Sequence, residues 1–142
     1  MEAHLDLYLR IMFGRGILSR AQREMIAIVV SATNKCEYCV AHHSAALRKY
    51  VTDGQFVNQL AKDIGSVKLG SKERKMLEYA IKLTERPDSI SMDDIRELRL
   101  ESFGDEEILH IALIVSYFNF VNRLANGLGV SLEPDQRSGY KY

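Results

Sequence analysis

Apolar residues recur at three- and four-residue intervals along most of the chain, the spacing that lines up one side of an α-helix. Ser19, followed three residues later by Gln22, has the form of a capping box ahead of the apolar run Met25 to Val30, and predicts a helix over about residues 19–33. Asn34, shortly before Cys36 and three residues before Glu37, predicts a second N-cap and a helix reaching about Val51. Asn34 and Lys35 then form the hinge of a tight helix pair. Asp53 and Gly54 suggest a turn into a helix over about 55–64, with Phe56, Val57, Leu60, Ala61 and Ile64 as its apolar positions and a stop near Gly65.

Ser71 introduces a further helix over Lys72 to Arg86, with Met76, Leu77, Ala80, Ile81 and Leu83 at helical spacing and Pro87 ending it. Ser91 with Asp94 opens the next, which Gly104 closes. Asp105, Glu106 and Glu107 place acids where a helix dipole favours negative charge, at the start of a long final helix reaching about Gly127. No segment alternates with period two, so no sheet is expected. The pattern predicts an all-α single domain over residues 1–142, a bundle of about six to seven helices with a polar tail over about 134–142.

Composition narrows the partners. Lys plus Arg and Asp plus Glu each number 19, so the formal charge is zero and no basic excess points to nucleic acid. The first thirteen residues lack the basic lead, apolar run and cleavage site of a signal peptide, which places the protein in the cytoplasm as an expectation. The most apolar stretch, Ile108 to Val121, is interrupted by His110, Ser116 and Asn119 and falls short of a membrane span, so it is read as a buried helix, with an interface as the alternative, and no membrane partner is expected. Asn119, Asn122 and Arg123 within or just past it are read as solvated or capping positions, with hydrogen bonding across subunits as the alternative.

Chemistry concentrates at Cys36-Glu37-Tyr38-Cys39 with His43, which holds the chain's two cysteines. On a helix Cys36, Cys39 and His43 fall within about 60° of one another, and His42 lies about 60° beyond Cys39, a secondary candidate. A thiol in the first turn has its pKa lowered by unpaired N–H groups and the dipole, which favours Cys36. Cys39, further in, needs a base, and His43 at i+4 can serve, with Glu24 of the preceding helix as a carboxylate to orient it. A solvated first-turn acid is the plain alternative for Glu24. Zinc on Cys36, Cys39 and one of His42 or His43 lacks a fourth ligand, and two inert buried cysteines are the other alternative. No cofactor is implied.

The spacing Glu24-x11-Cys36-x2-Cys39-x3-His43 resembles that of the alkylhydroperoxidase D-like proteins within the carboxymuconolactone decarboxylase superfamily. Leu18 to Ala32, Cys36 to His43, and Tyr117 to Ala125 are similar to its peroxidase-related branch, and the likeness spans most of residues 5–130. The resemblance implies an all-α homo-oligomer acting in antioxidant defence. It makes Cys39 the thiol that attacks a hydroperoxide, Cys36 its disulfide partner, and Glu24 with His43 the proton relay, with a lipoyl or thioredoxin-like dithiol as reductant. Helix position alone favours Cys36 as the thiolate, so the two readings divide on which thiol reacts first. The best-known members carry His immediately before the second cysteine, where this chain has Tyr38, a further secondary site residue. Two other functions compete: a redox sensor or interaction module that oxidises once, and a lyase acting on a small lactone-like acid through His43 or His42. The superfamily's decarboxylases generally lack the paired cysteines.

Overall fold

The run Met25 to Val30 is buried on every side, which places its helix at the centre of a bundle and not on its surface. A computed structural model describes residues 2–132, and the expected polar tail lies outside them. Among the described residues there are seven α-helices: α1 (Glu2–Phe13), α2 (Arg20–Thr33), α3 (Glu37–Leu47), α4 (Gly54–Leu60), α5 (Ser71–Glu85), α6 (Met92–Leu100) and α7 (Asp105–Gly127). Short 3₁₀ turns occupy Ile64–Ser66 and Pro87–Ser89, and no strand occurs among the described residues. Central α2 packs against α3, α5 and α7, while α1 lies across α7 and the start of α2. Ile26, Ile28, Leu47, Leu60, Met76, Leu77, Leu98, Ile111 and Ile114 are fully enclosed in one continuous core.

Local chemistry sets the helix ends. The Ser19 hydroxyl accepts the Gln22 N–H (3.2 Å) and the Gln22 side chain accepts the Ser19 N–H (2.9 Å), so the capping box is formed. Asp53 caps α4 and Ser91 with Asp94 caps α6. Pro87 ends α5 by opening a 3₁₀ turn. Other boundaries differ from expectation. Asn34 caps the C-terminus of α2 and does not open α3, which begins at Glu37 with Cys36 as its N-cap and stops at Leu47, short of Val51. The reason is a Schellman turn: the Lys35 N–H reaches Ala32 O (3.0 Å) and the Cys36 N–H reaches Ser31 O (2.9 Å), with Lys35 left-handed at φ 56°. The same turn, with Ser102 at φ 63°, ends α6 at Leu100 before Gly104 is reached. α4 stops at Leu60 because Asp63 accepts the Gly65 N–H (2.8 Å) and draws the chain into a 3₁₀ turn.

Helix α1 was not among the elements expected from the pattern. Its leucines at 5, 7 and 9 are exposed and only Ile11 and Met12 are buried, so it shows little one-sided periodicity. A buried arginine ties it down instead. Arg23 donates to Leu18 O, Ile11 O and Gly14 O, each at 3.0 Å, and the His110 ring nitrogen Nε2 donates to Ile11 O at 3.0 Å. Burial and the neighbouring Arg20 charge push the Arg23 pKa below its ordinary value. Gly16 makes room for this arrangement, since a Cβ there would sit 2.7 Å from an Arg23 nitrogen and 3.0 Å from the His110 ring.

α7 also departs from the fully buried helix expected. It is long and apolar enough, by length and composition alone, to cross a membrane, yet 44% of its most apolar window is buried inside the fold. Ile108, Ile111, Ile114, Val115 and Phe118 face the core, whereas Leu109, Leu113, Phe120 and Leu124 are exposed.

Replacing Arg23 by Met removes donors from three carbonyls at the α1–α2 junction. The expected outcome is a loss of roughly 3 kcal/mol in urea unfolding, with hydrogen exchange in α1 accelerated ahead of that in α2.

Candidate functional site

The Schellman turn delivers Cys36 as the last residue of one helix end and the cap of the next, so Glu37, Tyr38 and Cys39 make up the first turn of α3. Cys39 therefore lies among the unpaired N–H groups, and not one turn beyond them as the sequence suggested. The two thiols are free, buried and hydrogen bonded to each other, with Ala125 of α7 packed against them. They differ in access. Cys39 lines a cavity of about 460 Å3, whereas Cys36, 1% exposed, is not part of its wall.

Glu24 is fully buried, which rules out the solvated first-turn acid. Its Oε2 lies 2.7 Å from His43 Nδ1, and its Oε1 accepts a 2.8 Å hydrogen bond from Arg20 Nε. A carboxylate only accepts, so Nδ1 carries the proton and donates it to Glu24, leaving Nε2 with the lone pair in the neutral ring. Arg20 is held in turn by Met12 O at 2.8 Å and lies over the Phe13 ring at 3.5 Å. Nothing in the sequence pattern singled out Arg20, although its i,i+4 spacing to Glu24 is a readable signal. The His43 ring stands edge-on to Phe118, with centroids 4.5 Å apart. His42 and Tyr38 line the same cavity, edge to face at 4.3 Å, and burial, then the nearby His43, lowers the His42 pKa.

Asn122, which the sequence suggested as a solvated or capping residue, is fully enclosed at the centre of the site. Its Nδ2 donates to Ser31 Oγ (3.0 Å), its Oδ1 accepts from Asn34 Nδ2 (3.1 Å), and its side chain hydrogen bonds the Cys39 thiol. Asn119 Oδ1 accepts from Asn34 Nδ2 (3.0 Å) and from Arg123 (2.7 Å), and Asn126 Nδ2 donates to Asn34 O (3.0 Å). Asn119, Asn122 and Asn126 thus form a polar stripe on α7 that clamps the α2–α3 hinge. Their spacing of three and four residues in an apolar helix was the signal that could have found them.

Burial pushes the Cys39 thiol up to about 12, assisted by the hydrogen bond and charge of Cys36 and opposed by Asn122 and the Cys39 N–H. No group of three or more His, Cys, Asp and Glu placed to hold a metal occurs among the described residues.

Residues 1–82 match the model of the carboxymuconolactone decarboxylase family. The chain belongs to that family. A peroxidase-related protein from Silicibacter sp. TM1040 superposes with a TM-score of 0.93 at 34% identity, over 99% of this chain and 73% of that one. A peroxidase-related protein from Ralstonia eutropha JMP134, described as an alkylhydroperoxidase AhpD core, gives 0.90 at 30% identity, over 97% and 73%. The Bacillus subtilis protein YdfG is 26% identical over 112 residues, 79% of this chain and 76% of its own length. The helical architecture expected of an AhpD-like protein is therefore the one found.

A neutral Cys39 stabilises the fold below its ordinary value near 9, and that contribution is lost as pH rises toward 12. Iodoacetamide labelling of the Cys39 peptide should accordingly keep rising with pH up to at least pH 10. Cys36→Ala should move the curve to lower pH, and Asn122→Ala should slow labelling at pH 8 by about tenfold, the effect of one hydrogen bond to a charged group. Equal curves for all three proteins would contradict these roles.

Proposed function

We propose that the protein is a thiol-dependent peroxidase of the alkylhydroperoxidase type. The observation that carries the reading is the juxtaposition on one cavity wall of Cys39 and a His43 ring oriented by a buried carboxylate, with a second thiol directly behind. His43 Nε2 takes the Cys39 proton, and the thiolate attacks the outer oxygen of a hydroperoxide. The O–O bond breaks, Cys39 becomes a sulfenic acid, and the alkoxide leaves with the proton that His43 returns. Cys36 then attacks the Cys39 sulfur, expelling water and forming the Cys36–Cys39 disulfide. An external dithiol of the lipoyl or thioredoxin-like type reduces it and is itself oxidised to a disulfide. Arg20 and Glu24 hold His43 in place throughout.

Mass spectrometry after one equivalent of hydroperoxide should find the chain lighter by two hydrogens, a change abolished in Cys36→Ser and Cys39→Ser. Steady turnover should follow when a dithiol is supplied. Oxidation that occurs once without turnover would mark a sensor, and an unlinked sulfinic acid in the wild type would remove Cys36 from the cycle.

The same reading includes a homo-oligomer. Leu109 (60% exposed), Leu113 (46%), Phe120 (51%) and Leu124 (46%) run along one face of α7 with no charge among them. An uncharged stripe can meet its own copy about a twofold axis without burying an unpaired ion, so a second copy of the chain is the fitting occupant. Light scattering should give at least a dimer for the wild type and a monomer for Leu109→Glu with Leu113→Glu. A monomeric wild type would sink the assignment.

A further inference from the structure

The cavity over Cys39 is far larger than a small peroxide needs. Its volume is about 460 Å3, against roughly 30 Å3 for a molecule the size of water. Its walls are also unusual in composition. The chain has 7 Tyr and 5 Phe, and six of these rings line this one space: Tyr8 and Phe13 from α1, Tyr38 from α3, Tyr50 just beyond it, and Tyr117 and Phe118 from α7. Aromatic side chains have few rotatable bonds and hold one another at fixed angles. His4 is stacked on Tyr117 at 5.6 Å and 20°, and Phe118 stands edge-on to Tyr117 at 5.3 Å. Walls of this kind favour a flat π-bearing guest over a flexible chain, because ring-on-ring contacts add to the area buried and little side-chain freedom is lost.

Charge supplies the second constraint. Arg20 and Lys49 are among the lining residues, and among the described residues no carboxylate lines the cavity. Glu24 lies behind the wall, already engaged by Arg20 and His43. Arg20 is therefore electrically balanced, and no salt bridge among the described residues engages Lys49, which is exposed at the rim. Lys49 follows Cys39 by roughly three helical turns, so it sits at the end of the space away from the thiol.

We propose that this cavity binds a flat, conjugated carboxylic acid, with its ring system among the aromatic walls and its carboxylate on Lys49 at the rim. The end of the molecule that faces inward meets Cys39, and only that last point rests on the peroxidase reading. A cationic ligand would face Lys49 and Arg20 with no acid to receive it. An alkyl acid would satisfy Lys49 and leave the rings without a matching partner.

Calorimetric titration of the full chain carrying Cys36→Ser and Cys39→Ser tests the site without turnover. The probes are 2-naphthoate, its uncharged analogue 2-naphthamide, and the flexible acid decanoate. Naphthoate should bind about tenfold more tightly than either of the others. Lys49→Met, at an exposed position that the fold does not need, should remove most of the advantage over naphthamide and leave naphthamide binding unchanged. Tyr117→Leu should weaken both naphthyl ligands more than decanoate. Absence of saturable naphthoate binding, equal affinity for naphthamide, or decanoate binding as tight as naphthoate would each overturn the proposal. Naphthoate binding in a protein whose wild type fails to turn over hydroperoxide would keep this site and remove the peroxidase cycle, and the converse result would do the reverse.

Discussion

Glu24 has no exposed surface and directly precedes the buried apolar run Met25 to Val30 of the central helix α2. A charge in such a place is tolerated only if its lone pairs are taken up by good donors. Arg20, one turn earlier on the same helix, and His43, on the next helix, supply them. This single requirement fixes much else. It sets the rotation of α3 against α2, aims the imidazole at the cavity, and draws Arg20 toward Met12 O, so that the end of α1 closes over the same place. Removing the carboxylate would leave a half-buried guanidinium without its counter-ion and an unoriented imidazole, so the group assigned to the proposed chemistry is also one the packing cannot spare.

A second constraint acts on the thiols. Joining α2 to α3 in so few residues requires the Schellman turn, and that turn requires a left-handed residue, here Lys35, which has no glycine's freedom. The local strain is held by α7. Asn119, Asn122 and Asn126 take up both the amide and the carbonyl of Asn34, while Asn122 reaches Ser31 and Cys39 as well. The helix with the most apolar composition thus spends its few polar residues on the hinge that positions the dithiol. Its opposite face carries exposed leucines.

How much of this could be read from the residues follows from how local each signal is. Ser19 with Gln22, Ser91 with Asp94, and Pro87 act within three or four residues, and the helix ends they mark were found where expected. The pairing of Glu24 with His43 crosses two helices, yet it was legible because a short hinge forces neighbouring helices to lie side by side. The role of Asn122 was not, since its partners lie about 90 residues earlier in the chain and an asparagine in a helix reads equally well as solvated. The true start of α3 was missed for a related reason. Asn34 has the residue type of an N-cap, and only the tertiary contacts with α7 reveal that it ends one helix instead of opening another. Helix α1, anchored by carbonyl contacts to Arg23 and not by an apolar stripe, left no periodic trace.

The position of the helix start bears on the question of which thiol reacts. With Cys36 as the cap and Cys39 in the first turn, both sulfurs lie close to unpaired N–H groups, so helix position no longer separates them. Access does. Cys39 meets the cavity, and burial with Cys36 alongside makes its proton hard to remove. In the proposed cycle this is not a contradiction. Two thiolates side by side repel, so the pair keeps a proton between them. A hydroperoxide releases an alkoxide, a poor leaving group unless it is protonated as the O–O bond breaks. A thiol that holds its proton until His43 takes it keeps that proton within one residue of where it is needed. A Cys39 that had lost its proton to solvent in advance would leave His43 without that proton to return.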